Sequence, residues 1–133
     1  MPYTVFPARE DVLSHRIIGA AIEVHRTLGP GLMESAYEAC LAYEFERCNI
    51  FFERQKPLPV CYKGALLDCG YRMDFVVDGC VLVELKAVEQ LTGIHDAQVL
   101  TYLKLGGYKL GLLINFNVYR LNMKGIRRLV LDL

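Results

Sequence analysis

Asp74, Glu84 and Lys86 lie in a stretch where apolar and charged residues alternate, and alternation sorts side chains onto two faces. At odd positions Tyr71, Met73, Phe75, Val77, Val81, Val83 and Leu85 are all apolar. At even positions Arg72, Asp74, Glu84 and Lys86 are charged, with Val76, Cys80 and Leu82 between them. A period of two predicts strands over Tyr71–Val77 and Cys80–Ala87 with a core face and a charged face. Asp78-Gly79 between them is a hairpin signal. A strict two-residue loop would pair Asp74 with Val83 and send Asp74 and Glu84 to opposite faces. A three-residue loop, Val77-Asp78-Gly79, or an equivalent bulge keeps Asp74, Glu84 and Lys86 on one side, and that is the expectation. Two carboxylates on neighbouring strands, with a lysine two residues beyond the second, suit a hard cation such as Mg²⁺ or Mn²⁺ and an ammonium beside an attacking water. That is equipment for phosphodiester hydrolysis. A salt bridge of Glu84 with Lys86 or Arg72 is the competing explanation.

The elements that must position these residues are legible on both sides. From Asp11 to Leu28 the apolar residues Leu13, Ile17, Ala21, Val24 and Leu28 recur at threes and fours, which predicts a helix that Gly29-Pro30-Gly31 ends. A second helix is expected from Leu32 to Cys48, with Tyr37, Leu41 and Phe45 on one side and Glu34 in its first turn. Leu58–Tyr62 reads as an edge strand turned at Lys63-Gly64, with a short Leu66-Leu67 return. A helix from Ile94 to Leu105 closes at Gly106-Gly107, and Tyr108–Asn115 and Arg127–Leu131 read as the last strands. Helix, helix, three strands, helix, two strands predicts an α/β fold, a mixed sheet with helices packed on it.

Composition bounds the rest. A chain of 133 residues with 53% hydrophobic residues suits one domain over residues 1–133 and excludes disorder. No apolar run is long enough to span a bilayer, and MPYTVFPARE lacks a basic segment leading into an apolar one, so a cytoplasmic protein without membrane contact is expected. The five cysteines are never closer than eight positions, which omits the close pairs of a zinc or iron–sulfur site; reduced core thiols are expected. Lys+Arg and Asp+Glu both number 15, so bulk charge does not draw the chain to a polyanion. The stretch from Ala97 to Leu131 nevertheless has no acidic residue and holds Lys104, Lys109, Arg120, Lys124, Arg127 and Arg128, either a face for a polyanion or a solvated scatter. No Gly-rich loop leads into Lys-Ser/Thr, so ATP binding is not supported.

Gly31-Leu32-Met33-Glu34-Ser35-Ala36-Tyr37 spells GxxExxY, Asp74 and Glu84-Leu85-Lys86 follow, and Gln98 to Tyr102 spells QxxxY. This ordered set resembles the GxxExxY family, a branch of the PD-(D/E)XK nuclease superfamily similar to RecB-type exonuclease domains. The resemblance implies a restriction-endonuclease-like core, αβββαβ. By position it assigns metal binding to Asp74 and Glu84, assistance to Glu34 and the Leu85 carbonyl, catalysis to Lys86, and support of the site or contact with nucleic acid to Gln98 and Tyr102. Arg72-Met73-Asp74 lacks the proline of the superfamily's name. Bland readings stand beside these roles. Glu34 suits a first helical turn in any protein, Tyr37 either holds the Glu34 carboxylate or is core, Gln98 and Tyr102 are spaced like any packed helical pair, and Arg72 binds a phosphate or pairs with an acid. The expected activity is a Mg²⁺- or Mn²⁺-dependent nuclease acting on DNA, with RNA open. The rival is a noncatalytic nucleic-acid-binding or assembly module, and the small neutral chain suggests a homodimer or a partner protein.

Overall fold

The structure, a computed structural model, describes residues 8–131; residues 1–7, on which the reading of the N-terminal leader rests, lie outside it. Helix α1 (Ala8–Leu28) and helix α2 (Glu34–Arg47) are joined by Gly29-Pro30-Gly31. Gly29 and Gly31 take φ of 69° and 102°, left-handed conformations that cost glycine nothing. Helix α2 starts at Glu34 because Met33 is still extended. Tyr37, Leu41 and Phe45 are all fully buried, each contributing roughly 1.5–3 kcal/mol of apolar burial.

The first strand of the sheet is a correction to the sequence reading. It is β1 (Phe52–Pro57), a segment without alternation, whereas the expected strand at Leu58–Tyr62 becomes β2 (Val60–Tyr62), paired with β3 (Ala65–Leu67) in a separate two-stranded ribbon. An edge strand with mostly exposed side chains needs no apolar period, which is why β1 left no pattern. The main sheet continues with β4 (Arg72–Val77), β5 (Val81–Lys86), β6 (Leu110–Asn115) and β7 (Ile126–Val130), in the order β1-β4-β5-β6-β7. Among the described residues only β5 and β6 pair in parallel, and helix α3 (Gly93–Gly106) makes the crossover between them. Gly107, at φ 77°, closes α3 with its N–H on the Leu103 carbonyl, as the glycine pair predicts.

Helices α1 and α2 cover one face of the sheet, packing on Phe75, Val77, Val81, Val83 and Leu85. Helix α3 covers the other, over Val76, Leu82 and Leu113. The second face is therefore core along most of its length, and the charged positions are confined to one end of the hairpin. A Cβ on Gly111 would stand 2.8 Å from Val99, so β6 and α3 approach each other only because that residue is glycine. The result is a mixed α/β fold of the restriction-endonuclease-like type, with α2, β1, β4, β5, α3 and β6 supplying its αβββαβ core. The cysteines are free, in line with reduced thiols, but their expected place in the core is corrected: Cys48, Cys61 and Cys69 are exposed, and Cys40 and Cys80 are half-buried. No helix among the described residues is long and apolar enough to cross a membrane.

Candidate active site

The β4–β5 hairpin turns through Asp78 and Gly79, both left-handed at φ 51° and 68°, with the Cys80 N–H on the Val77 carbonyl at 3.0 Å. Pairing begins at Val77↔Val81, so the loop is Asp78-Gly79-Cys80, one residue later than expected. The parity is the same, and Asp74 and Glu84 face each other across the strands. The ladder itself stops at Phe75↔Val83. Beyond it the carboxylates take over the backbone donors: Glu84 Oε2 accepts the Asp74 N–H at 2.7 Å, and Asp74 Oδ2 accepts the Leu85 N–H at 2.8 Å. The strands thus fork, and each carboxylate is held by the backbone of the opposing strand. In an extended strand a residue's N–H and C=O project to the same side, so the Leu85 carbonyl opens into this fork; the Lys86 carbonyl points the other way, accepting the N–H of Phe116, the residue after β6.

The electrostatics of the fork are unfavourable in a consistent direction. Burial, then the neighbouring Asp74 charge, pushes the Glu84 carboxyl up to about 8. Burial also raises Asp74, with the charge of Glu38 adding to it, against hydrogen bonds from Leu85 and Gln55 that pull it down. Glu34, on the rim at the start of α2, is raised by burial and then by the Asp74 charge. The Lys86 ammonium lowers all three. Among the described residues neither Lys86 nor Arg72 forms an ion pair with Glu84, so the simple surface salt bridge is absent.

The other candidates are distributed unevenly. Gln98 donates to the Tyr102 hydroxyl at 3.3 Å, and burial raises the Tyr102 phenol, with the charges of Glu84 and Asp74 adding. Both residues line a groove of about 640 Å³ with Tyr71, His95 and exposed Ile94. Tyr71 meets the Tyr102 ring edge-on, 5.9 Å between centroids. Tyr37 is a correction: its hydroxyl donates to the Gly29 carbonyl at 2.6 Å and accepts from the Leu32 N–H, so it pins the turn before α2 and has no proton left for Glu34. Its ring is fully buried, out of reach of a nucleic acid. Arg72 lies exposed at the start of β4, opposite Pro57. Of the acid-free C-terminal stretch, Arg127 pairs with Asp96 at 2.7 Å and Arg128 with Asp11 at 3.4 Å, acids supplied by α3 and α1.

Three residues that the sequence reading missed adjoin the site. Glu38 is buried on α2, Gln55 reaches it from β1, and Asn115 holds Val88, two residues beyond Lys86, through both its backbone N–H and its carbonyl. Glu38 follows Glu34 by one helical turn, a spacing that puts both on one face; nothing in the sequence signals Gln55.

Residues 11–129 match the PD-(D/E)XK nuclease superfamily. The chain belongs to it. Comparison with curated proteins and with solved structures found no match. PD-(D/E)XK nucleases generally use divalent metals, and the donor set fits one: it is all oxygen, and crowded carboxyls with raised pKa values are the groups a hard cation relieves. Among the described residues no three His, Cys, Asp or Glu side chains already stand at ligand spacing. Asp74 and Glu84 come together and Glu34 remains on the rim.

Proposed function

We propose that the chain is a divalent-metal-dependent nuclease of the GxxExxY, RecB-like kind, hydrolysing phosphodiester bonds of DNA, with RNA as the second candidate. The observation that carries this reading is the fork, where Asp74 and Glu84 converge under the Lys86 ammonium and their charges, with that of Glu34, resist one another. Asp74, Glu84 and the Leu85 carbonyl are the groups that would hold Mg²⁺ or Mn²⁺, with Glu34 reaching it directly or through water. When bound, the cation supplies a polarised phosphoryl oxygen and a bound water of lowered pKa. Lys86 orients the attacking water and offsets the charge that develops on the phosphorane-like transition state. Gln98 fixes the Tyr102 hydroxyl, and the half-exposed ring of Tyr71 offers the bases a stacking surface in the adjoining groove.

The test is cleavage of end-labelled single-stranded DNA, duplex DNA and RNA in Mg²⁺ or Mn²⁺ by wild type and Lys86→Ala. Cleavage by wild type that the variant loses supports the nuclease and names its substrate. Equal cleavage by both would place the activity outside this fork. A second reading, a noncatalytic nucleic-acid-binding or assembly module, draws on the internal pairing of Arg127 and Arg128, which leaves less cationic surface for a lone nuclease. It predicts binding of nucleic acid or a partner protein with no cleavage.

A further inference from the structure

Four non-glycine residues among those described have left-handed backbones: Asn49, Lys63 and Asp78 lie in turns, and Gln55 lies in the middle of strand β1, at φ 54°. Strain of this kind persists only where the surroundings hold it. Its effect is visible in the neighbours. In a regular strand successive side chains point to opposite faces, yet Arg54 Nε donates to Glu38 Oε2 at 2.7 Å and Gln55 Nε2 donates to Glu38 Oε1 at 2.7 Å. Inverting Gln55 brings both side chains to the same carboxylate. The second amide hydrogen of Gln55 goes to Asp74 Oδ1 at 3.1 Å. Both donors of one NH₂ group are thus spent on two carboxylates, which also fixes the amide, since its oxygen would be repelled there.

Packing on the partner strand changes face at the same rung. On β4, Phe75 and Val77 pack beneath α1 and α2, while Met73, two residues earlier and so expected on that face, packs with Val76 beneath α3. Asp74 sits at the inversion. Its Oδ2 is taken by the Leu85 N–H from β5 and its Oδ1 by Gln55 from β1, so its carboxylate is held from both neighbouring strands. Glu38, buried and clamped by Arg54, is the fixed post from which Gln55 reaches.

We infer that Gln55, anchored by Glu38 and Arg54, is the positioning residue of the site: it sets the orientation in which Asp74 meets the divalent cation. The inference rests on the proposed metal-binding role of Asp74 and Glu84. Partners in this second layer set metal affinity by roughly 10- to 100-fold. The informative variant is Gln55→Gly, because glycine accepts a φ of 54° without strain while removing the amide.

Mn²⁺ is titrated into wild type and Gln55→Gly by calorimetry, both proteins are melted in EDTA, and kcat and KM are measured on single-stranded DNA. The expected result is that Gln55→Gly melts no lower than wild type in EDTA, binds Mn²⁺ about 10- to 100-fold more weakly, and loses a similar factor in kcat with KM unchanged. A lower melting temperature with an unchanged Mn²⁺ Kd would make Gln55 a structural residue and overturn the inference. Wild type that binds no Mn²⁺ at millimolar concentration would overturn the metal reading of Asp74 and Glu84 itself, and this inference with it.

Discussion

The two ends of the β4–β5 hairpin are built on opposite terms. At the turn end, Val76, Val77, Val81 and Leu82 are fully buried and paired rung by rung, and Asp78-Gly79 closes the strands with a turn matched to their twist. At the other end the rungs stop, side-chain carboxylates occupy the backbone donors, and burial works against the charges of Asp74 and Glu84. The same two strands therefore hold stability at one end and store unfavourable electrostatics at the other. Fold and site are separable at a distance of a few residues, and the apolar end is what lets the polar end stay unfavourable.

That contrast can be broken by opposite substitutions. Leu82→Ala, at the closed end, should lower stability by about 2–5 kcal/mol in chemical denaturation while leaving cleavage intact wherever the protein remains folded. A cost under about 1 kcal/mol would mean that the closed end is not the anchor. Glu84→Gln, at the fork, should do the reverse. The amide oxygen can still accept the Asp74 N–H, so stability at pH 7 stays within about 1 kcal/mol, whereas cleavage falls by roughly two to three orders of magnitude. Unaltered cleavage would remove Glu84 from the chemistry.

The contrast also predicts a dependence on pH. Glu84 keeps its proton to about 8 in the folded protein against 4.5 in the unfolded chain. A carboxyl that binds its proton more tightly when folded contributes stability that is whole below the lower value and is lost as the pH rises through the upper one. In EDTA the melting temperature of wild type should fall on going from about pH 5 to about pH 8, and the fall should be smaller in Glu84→Gln and smaller again in saturating Mn²⁺. A melting temperature identical for wild type and Glu84→Gln across that window would show that the fork is wetter than its geometry implies. The smallest effect is expected at the turn, where Gly79→Ala at φ 68° should cost about 1 kcal/mol and leave metal affinity untouched.

What the sequence disclosed follows the same division. Alternation over Tyr71–Leu85 was enough to put Asp74, Glu84 and Lys86 together, because parity survives an error of one residue in the loop. It misjudged Met73, which packs beneath α3 next to the rung where Gln55, 19 residues away in sequence, reaches Asp74; no local pattern records such a contact. Strand β1 was overlooked for a related reason: an exposed edge strand is defined by its partner β4 and carries no period of its own. Glu38 has no sequence signal beyond its one-turn spacing from Glu34, because the Arg54 and Gln55 side chains that close over it come from β1. Helical spacing leaves Tyr37 either a helper of Glu34 or a core residue, and the structure decides for the core: its one hydroxyl proton goes to Gly29.

The placement of Tyr37 bears on how such chains are recognised. Gly31 supplies a left-handed turn, Tyr37 ties that turn to α2 and stacks on Phe116 at 4.5 Å, and Glu34 alone of the three faces the fork. Two of the three letters in the spacing from Gly31 to Tyr37 thus report a connection between helices. A homologue that had lost Asp74 or Lys86 would keep both letters, because its architecture still needs them. The spacing from Gly31 to Tyr37 is thus a mark of architecture, and the chemistry has to be read from the hairpin residues.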